Sequence, residues 1–135
     1  MKILQPPGWA APRGYSNGVA ATGTFVAIGG MIGWNAQSKF EVHDFAGQAA
    51  QALENALTVL AEAGGKPEHI VRMTWYVTDK KQYLAAGREL GLAYRHLMRG
   101  SDGNIHYPAM TAVEVSDLIE DEALVEIEAT AVVPG

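Results

Sequence analysis

The chain contains no cysteine. Disulfides, a thiolate nucleophile and cysteine-ligated metal sites are therefore excluded. It also lacks a basic cluster. Ten Lys and Arg face fifteen Asp and Glu, the net charge is −5, and the closest basic group is Lys80-Lys81. Affinity for a phosphate backbone rests on clustered cations, so no nucleic-acid partner is expected. No apolar run approaches the ~20 residues that a membrane-spanning helix needs, and no membrane partner is expected either. Two prolines break the first stretch, Met1 to Pro7, too early for a signal peptide; the expected compartment is the cytoplasm. The four histidines, His43, His69, His96 and His106, are dispersed and form no close helical pair, which argues against a metal site. No Ser-His-Asp arrangement stands in a recognisable motif context. The glycine-rich run Gly29 to Asn35 has neither the G-x-G-x-x-G nor the Walker A spacing, and no Lys follows in place. No cofactor is expected.

What is present is an apolar share of 48% over 135 residues, enough for one domain, 1–135, with a real core. Residues 1–13 are rich in Pro and Gly and read as a loop or irregular arm. Ser16 to Ala21 and Thr24 to Gly29 read as two strands of a hairpin about the turn Thr22-Gly23. The glycines at 29, 30 and 33 suggest a strand end with close backbone packing or a bulge, or room left for a ligand. A short extra strand is allowed at 37–42. Asp44 is a good N-cap for a helix running to about Ala63, with Phe45, Ala49, Leu53, Ala56, Leu57 and Leu60 as its apolar stripe. Gly64-Gly65 ends it. His69 to Thr78 alternates as a strand. Asp79 then caps a second helix, with Gln82 completing a capping box and Tyr83, Ala86, Leu90, Tyr94 and Leu97 as the buried stripe. Arg88, Glu89, Arg95 and Arg99 fall on its other sides.

The last third holds two more strands, Tyr107 to Val115 and Leu124 to Val133. In the second, Val125, Ile127, Ala129, Ala131 and Val133 alternate with Leu124, Glu126, Glu128, Thr130 and Val132. The order β-β-α-β-α-β-β predicts an α+β sandwich, one mixed sheet with two helices on one face. Thr24 to Gly29 is apolar on both faces. Met110, Ala112, Leu124 and Val132 are read as adding apolar groups opposite the Val125–Val133 face. Two helices cover one face only, so the other calls for a second copy of the chain.

The run Tyr107-Pro108-Ala109-Met110-Thr111-Ala112-Val113-Glu114-Val115 followed by Val125-Glu126-Ile127-Glu128-Ala129 resembles the C-terminal signature of the RidA/YjgF family of reactive-intermediate deaminases. The likeness continues in Gly14-Tyr15-Ser16-Asn17-Gly18-Val19, in Gly29-Gly30-Met31-Ile32, in Gln51 to Asn55 and in Ile70 to Asp79, in the expected order. The resemblance implies a chorismate-mutase-like fold, a homotrimer with clefts between subunits, and cofactor-free hydrolysis of small enamines or imines. It implies Glu126 as the residue that positions water, and Tyr15, Gly29, Gly30, Met31, Met110, Thr111 and Ala112 around a small organic ligand.

One position departs from the pattern. Where the family has an arginine that clamps the substrate carboxylate, this chain has Met110, and Ala112 replaces a frequent cysteine. A thioether cannot form the bidentate pair that a guanidinium supplies. Three readings follow: hydrolysis of a less anionic or differently anchored imine, with Arg13, Arg72 or Trp34 as substitute anchors; a non-catalytic ligand-binding or regulatory module; or a structural relic. Glu128 shares a face with Glu126, ~7 Å away, and Glu114 reads as structural.

Overall fold

The computed structural model describes residues 1–135. A four-stranded sheet in the order β3-β6-β4-β5 is built from β3 (Thr24–Ile32), β4 (Ile70–Val77), β5 (Ala109–Glu114) and β6 (Val125–Val133). β4 and β5 are parallel; β6 is antiparallel to both β3 and β4. Three helices, α1 (Phe45–Glu62), α2 (Lys80–Ala85) and α3 (Gly87–Leu97), lie on one side. No helix is long and apolar enough to cross a membrane. The mixed α+β sheet with helices on one face is as the sequence predicts.

The helix side of the sheet is the core. Met73, Trp75 and Val77 of β4 and Val125, Ile127 and Ala131 of β6 are all buried there, each large side chain contributing about 1.5–3 kcal/mol. The alanines of α1, Ala49, Ala52 and Ala56, are fully buried and let the helix axis approach the strands. Asp44 accepts the Gly47 N–H at 3.0 Å. At the other end the Gly64 N–H bonds the Ala61 carbonyl and the Gly65 N–H bonds the Leu60 carbonyl, a Schellman closure that the left-handed φ of +72° at Gly64 permits.

Several expectations give way. Residues 1–13 are not all irregular: β1 (Lys2–Leu4) pairs antiparallel with β2 (Gly18–Ala20). The hairpin between Ser16–Ala21 and Thr24–Gly29 does not form. Ser16 instead bridges Ala109 of β5, at the sheet edge opposite β3, so β2 has no access to β3, which pairs with β6. β3 runs on to Ile32 through an irregularity between Ile28 and Met31, the bulge that the glycines suggested. Residues 37–42 form no strand. The second helix is broken at Ala86, one residue before Gly87, a weak helix former. Asp79 caps α2 by accepting the Lys81 N–H, without the return bond from Gln82.

The largest correction concerns β5. Met110 registers with Met73, and Ala112 with Trp75; both partners are core residues on the helix side. Met110 and Ala112 therefore lie on the Val125–Val133 face, not opposite it. The uncovered face carries Phe25, 68% exposed, and Val113, 41% exposed, among Arg72, Tyr76, Glu126 and Glu128.

Gln48, missed by a search for apolar periodicity, is 1% exposed. Its amide donates to the carbonyls of Val42 and Glu122 and accepts the Leu124 N–H at 2.8 Å. It ties the approach to α1 to the approach to β6. Gln48→Leu keeps the volume and strands those three backbone groups, so it should cost about 2–4 kcal/mol. The urea midpoint should fall with an unchanged slope; a variant within ~0.5 kcal/mol of wild type would show that water satisfies these groups.

Candidate functional site

The residues singled out in the sequence fall into two groups on opposite sides of the sheet. The first is at the β5 edge, on the helix side. Ser16 is buried there; its N–H donates to the Pro108 carbonyl at 2.9 Å and its hydroxyl donates to the Tyr107 carbonyl at 2.6 Å. This clamp sets Tyr15 beside the start of β5. Tyr15 and Met110 line one cavity of about 300 Å³, roofed by α2 and α3. Arg13, one of the three proposed substitute anchors, lines it too.

The cavity also recruits residues that sequence reading assigned elsewhere. Tyr94 and Tyr107 stack with centroids 5.7 Å apart and planes within 1°. The Tyr94 hydroxyl is buried with no hydrogen-bond partner, and burial, with the Tyr107 phenol adjacent, pushes its pKa well up. Tyr83 meets Trp75 edge-on, and burial raises its pKa as well. Gly87, Gly91 and Arg95 enter from α3. Their spacing of four places them on one helical face. That repeat was visible in the sequence, but a charged residue beside an apolar stripe is normally a solvated one.

The second group lies on the uncovered face. Glu126 is half-buried, registers with Tyr76 on one side and Ile32 on the other, and makes no hydrogen bond within the chain. A Cβ at Gly30 would overlap its carboxylate and come within 2.8 Å of Cδ. The missing side chain of Gly30 is thus the space that the Glu126 carboxylate occupies. Glu128 is differently placed. It accepts the Tyr76 hydroxyl at 2.8 Å, and this bond raises the Tyr76 pKa. Of the two carboxylates, one is engaged and one is free for a ligand or water.

The other candidates scatter. Gly29 has open space where a Cβ would stand. Met31 packs against the core. Thr111 pairs with Thr74 and faces away from the helices, whereas Ala112 is exposed on the helix side and does not line the cavity. Arg72, the second substitute anchor, shares a polar depression with Thr74 and Glu128 on the uncovered face. Trp34, the third, stands against Phe40. No group of three or more acidic, His or Cys side chains could hold a metal ion. Within one chain, then, Tyr15 and Met110 meet, Gly30 and Glu126 meet, and the sheet separates the pairs.

Comparison with known proteins gives a consistent picture. Residues 8–133 match the family described as Endoribonuclease L-PSP. A RutC family protein of Aquifex aeolicus is 36% identical over 133 residues, 98% of this chain and 99% of its own length. A Salmonella typhimurium 2-iminobutanoate/2-iminopropanoate deaminase is 31% identical over 110 residues, 82% of this chain and 80% of its own. Among solved structures, a Rid-family protein of unknown function from Yersinia pestis superposes with a TM-score of 0.79 at 26% identity, covering 98% of both chains.

The contact of Gly30 with Glu126 predicts a coupled pair. Gly30→Ala should destabilise by about 0.5–2 kcal/mol, and Glu126→Ala in that background should recover most of the loss. A double-mutant cycle with coupling below ~0.3 kcal/mol would show that the two do not share the space. Tyr94 predicts an alkaline effect. The folded chain keeps the phenolic proton, while the unfolded chain releases it near pH ~10. Its contribution is whole below that pH and is lost as pH rises from there through the higher folded value. Urea midpoints should therefore fall less between pH ~9 and ~11 in Tyr94→Phe than in wild type; equal falls would place the Tyr94 hydroxyl in contact with water.

Proposed function

Because the chain belongs to the RidA/YjgF/RutC family, described also as Endoribonuclease L-PSP, we propose that it hydrolyses a small imine or enamine to a carbonyl compound and ammonia. The observation that carries this reading is the unpaired Glu126 carboxylate, lodged in the space that Gly30 leaves. Sequence kinship with 2-iminobutanoate/2-iminopropanoate deaminases supports it.

The chemistry asks for little machinery. An enamine takes a proton on carbon to become an iminium. The Glu126 carboxylate orients a water molecule and accepts its proton as the oxygen adds to the C=N carbon. Glu126 passes that proton to nitrogen and, as the C–N bond breaks and ammonia leaves, its carboxylate takes the hydroxyl proton while the C=O bond forms. Such positioned proton transfer contributes roughly 10²–10⁴-fold. No metal or cofactor enters these steps.

The two half-sites meet in this proposal only between copies of the chain. The exposed apolar Phe25 and Val113 lie on the same face as Glu126, which supports a second copy covering that face; in the proposed assembly Glu126 of one protomer faces the Tyr15–Met110 edge of the next. A homotrimer with three such clefts is the assembly proposed. Met110 bears on the choice of substrate. With no guanidinium at this position, a small anionic imine loses its fork-shaped partner; the same fact favours the non-catalytic binder as the second reading. The acidic surface gives no support to cleavage of RNA.

Imino acids generated in situ by an amino-acid oxidase, trapped by semicarbazide, test the proposal. Wild type should suppress semicarbazone formation, and Glu126→Gln should lose at least ~100-fold of that activity with its fold intact by circular dichroism. No turnover of any imino acid by wild type would leave the binder. Turnover unchanged in Glu126→Gln would sink the role of Glu126.

A further inference from the structure

The cavity beneath α2 and α3 is larger and more aromatic than a two- or three-carbon imine needs. Its volume, about 300 Å³, stands at the lower end of small-molecule pockets, roughly 300–1,000 Å³. Its walls include Tyr15, Tyr83, Tyr94 and Tyr107. The parallel Tyr94 and Tyr107 rings are separated by 5.7 Å, and rings of this kind favour offset or edge-on contact with another flat ring. Met110 adds a flexible thioether, which makes favourable contacts with aromatic edges.

Charge sets the polarity of the other end. The chain has fifteen acidic and ten basic residues, yet the cavity is lined by Arg13 and Arg95 and by no carboxylate. Both arginines are exposed, and neither forms an ion pair with Asp or Glu. Gly91 leaves room for the Arg95 side chain: a Cβ there would stand 3.0 Å from the guanidinium. At Gly87, one turn earlier, a Cβ would meet nothing within 4 Å, so the helix leaves that wall open.

We infer that this cavity binds a single-ring aromatic carboxylate, with the ring among Tyr83, Tyr94 and Tyr107 and the carboxylate at Arg13 and Arg95. On the deaminase reading, on which this extension rests, the substrate is an aromatic 2-imino acid and the product an aromatic 2-keto acid. Two arginines at the rim then take the place of the one absent at Met110, a turn of helix and a loop away from it.

Calorimetric titration of the full chain with phenylpyruvate, pyruvate and uridine 5′-monophosphate tests the inference without any turnover. Phenylpyruvate should bind at least ~10-fold tighter than pyruvate, since its ring leaves water for an apolar wall. Arg13→Gln with Arg95→Gln, both at exposed positions, should weaken phenylpyruvate at least ~10-fold and flatten its salt dependence. Gly87→Leu, which also strengthens the helix, should narrow the cavity and weaken phenylpyruvate more than pyruvate. Equal affinity for phenylpyruvate and pyruvate, an unaffected double arginine variant, or tighter binding of the nucleotide would each overturn it. Failure of binding together with turnover of 2-iminopropanoate would remove this inference and leave the deaminase standing. Binding of phenylpyruvate without turnover of any imine would do the reverse.

Discussion

The structure depends on the alternation of β6. This strand lies between β3 and β4, so every residue on it is committed to one of two environments. Val125, Ile127 and Ala131 are wholly buried under the helices. Glu126 and Glu128, interleaved with them, are forced to the uncovered face. A shift of one residue would drive both carboxylates into the core and expose the aliphatic side chains, so the register is fixed by burial rather than by turn chemistry. The candidate catalytic carboxylate is thus placed by the same pattern that builds the core.

That pattern was largely legible from the sequence, as was α1, whose Asp44 cap, alanine-rich stripe and Gly64-Gly65 stop are all local signals. What was not legible depended on neighbours distant in the chain. β5 and β6 follow one another in sequence, and the face of Met110 was judged against β6 as though the two were adjacent. β4 stands between them and pairs parallel with β5; the register of that pairing places Met110 on the helix side. The β1–β2 ladder joins two three-residue segments, too short to carry a period. Gln48 escaped notice because its role is to satisfy backbone groups on two loops, which no hydrophobic periodicity marks. Of the candidate site, Glu126 and Gly30 could be singled out in advance, but neither their contact nor the separation of Tyr15 and Met110 from them could.

Methionine in place of arginine changes the kind of recognition that the β5 edge can offer. A guanidinium at position 110 would put a buried-side charge beneath two helices, and it would need a partner carboxylate from a ligand to repay its desolvation. With a thioether there, the inner part of the cavity is aromatic and uncharged, and the positive charges stand at its rim, on a loop and on α3, where water reaches them. The arrangement separates a region that recognises shape from one that recognises charge. A ligand must span both to use both.

The Ser16 clamp also sets how firmly one wall of the cavity is held. The wall that carries Arg13 and Tyr15 is joined to β5 by two hydrogen bonds from one residue and is otherwise anchored by the short β1–β2 ladder. Bonds of this kind contribute roughly 0.5–1.5 kcal/mol each, against the ~5–15 kcal/mol that holds a domain of ordinary stability together. A segment held so lightly opens locally at a lower free-energy cost than the whole chain unfolds. The cavity is open along the Gly87 wall and at its arginine rim, so what the Ser16 hydroxyl governs is not entry but where Arg13 and Tyr15 stand when a ligand arrives.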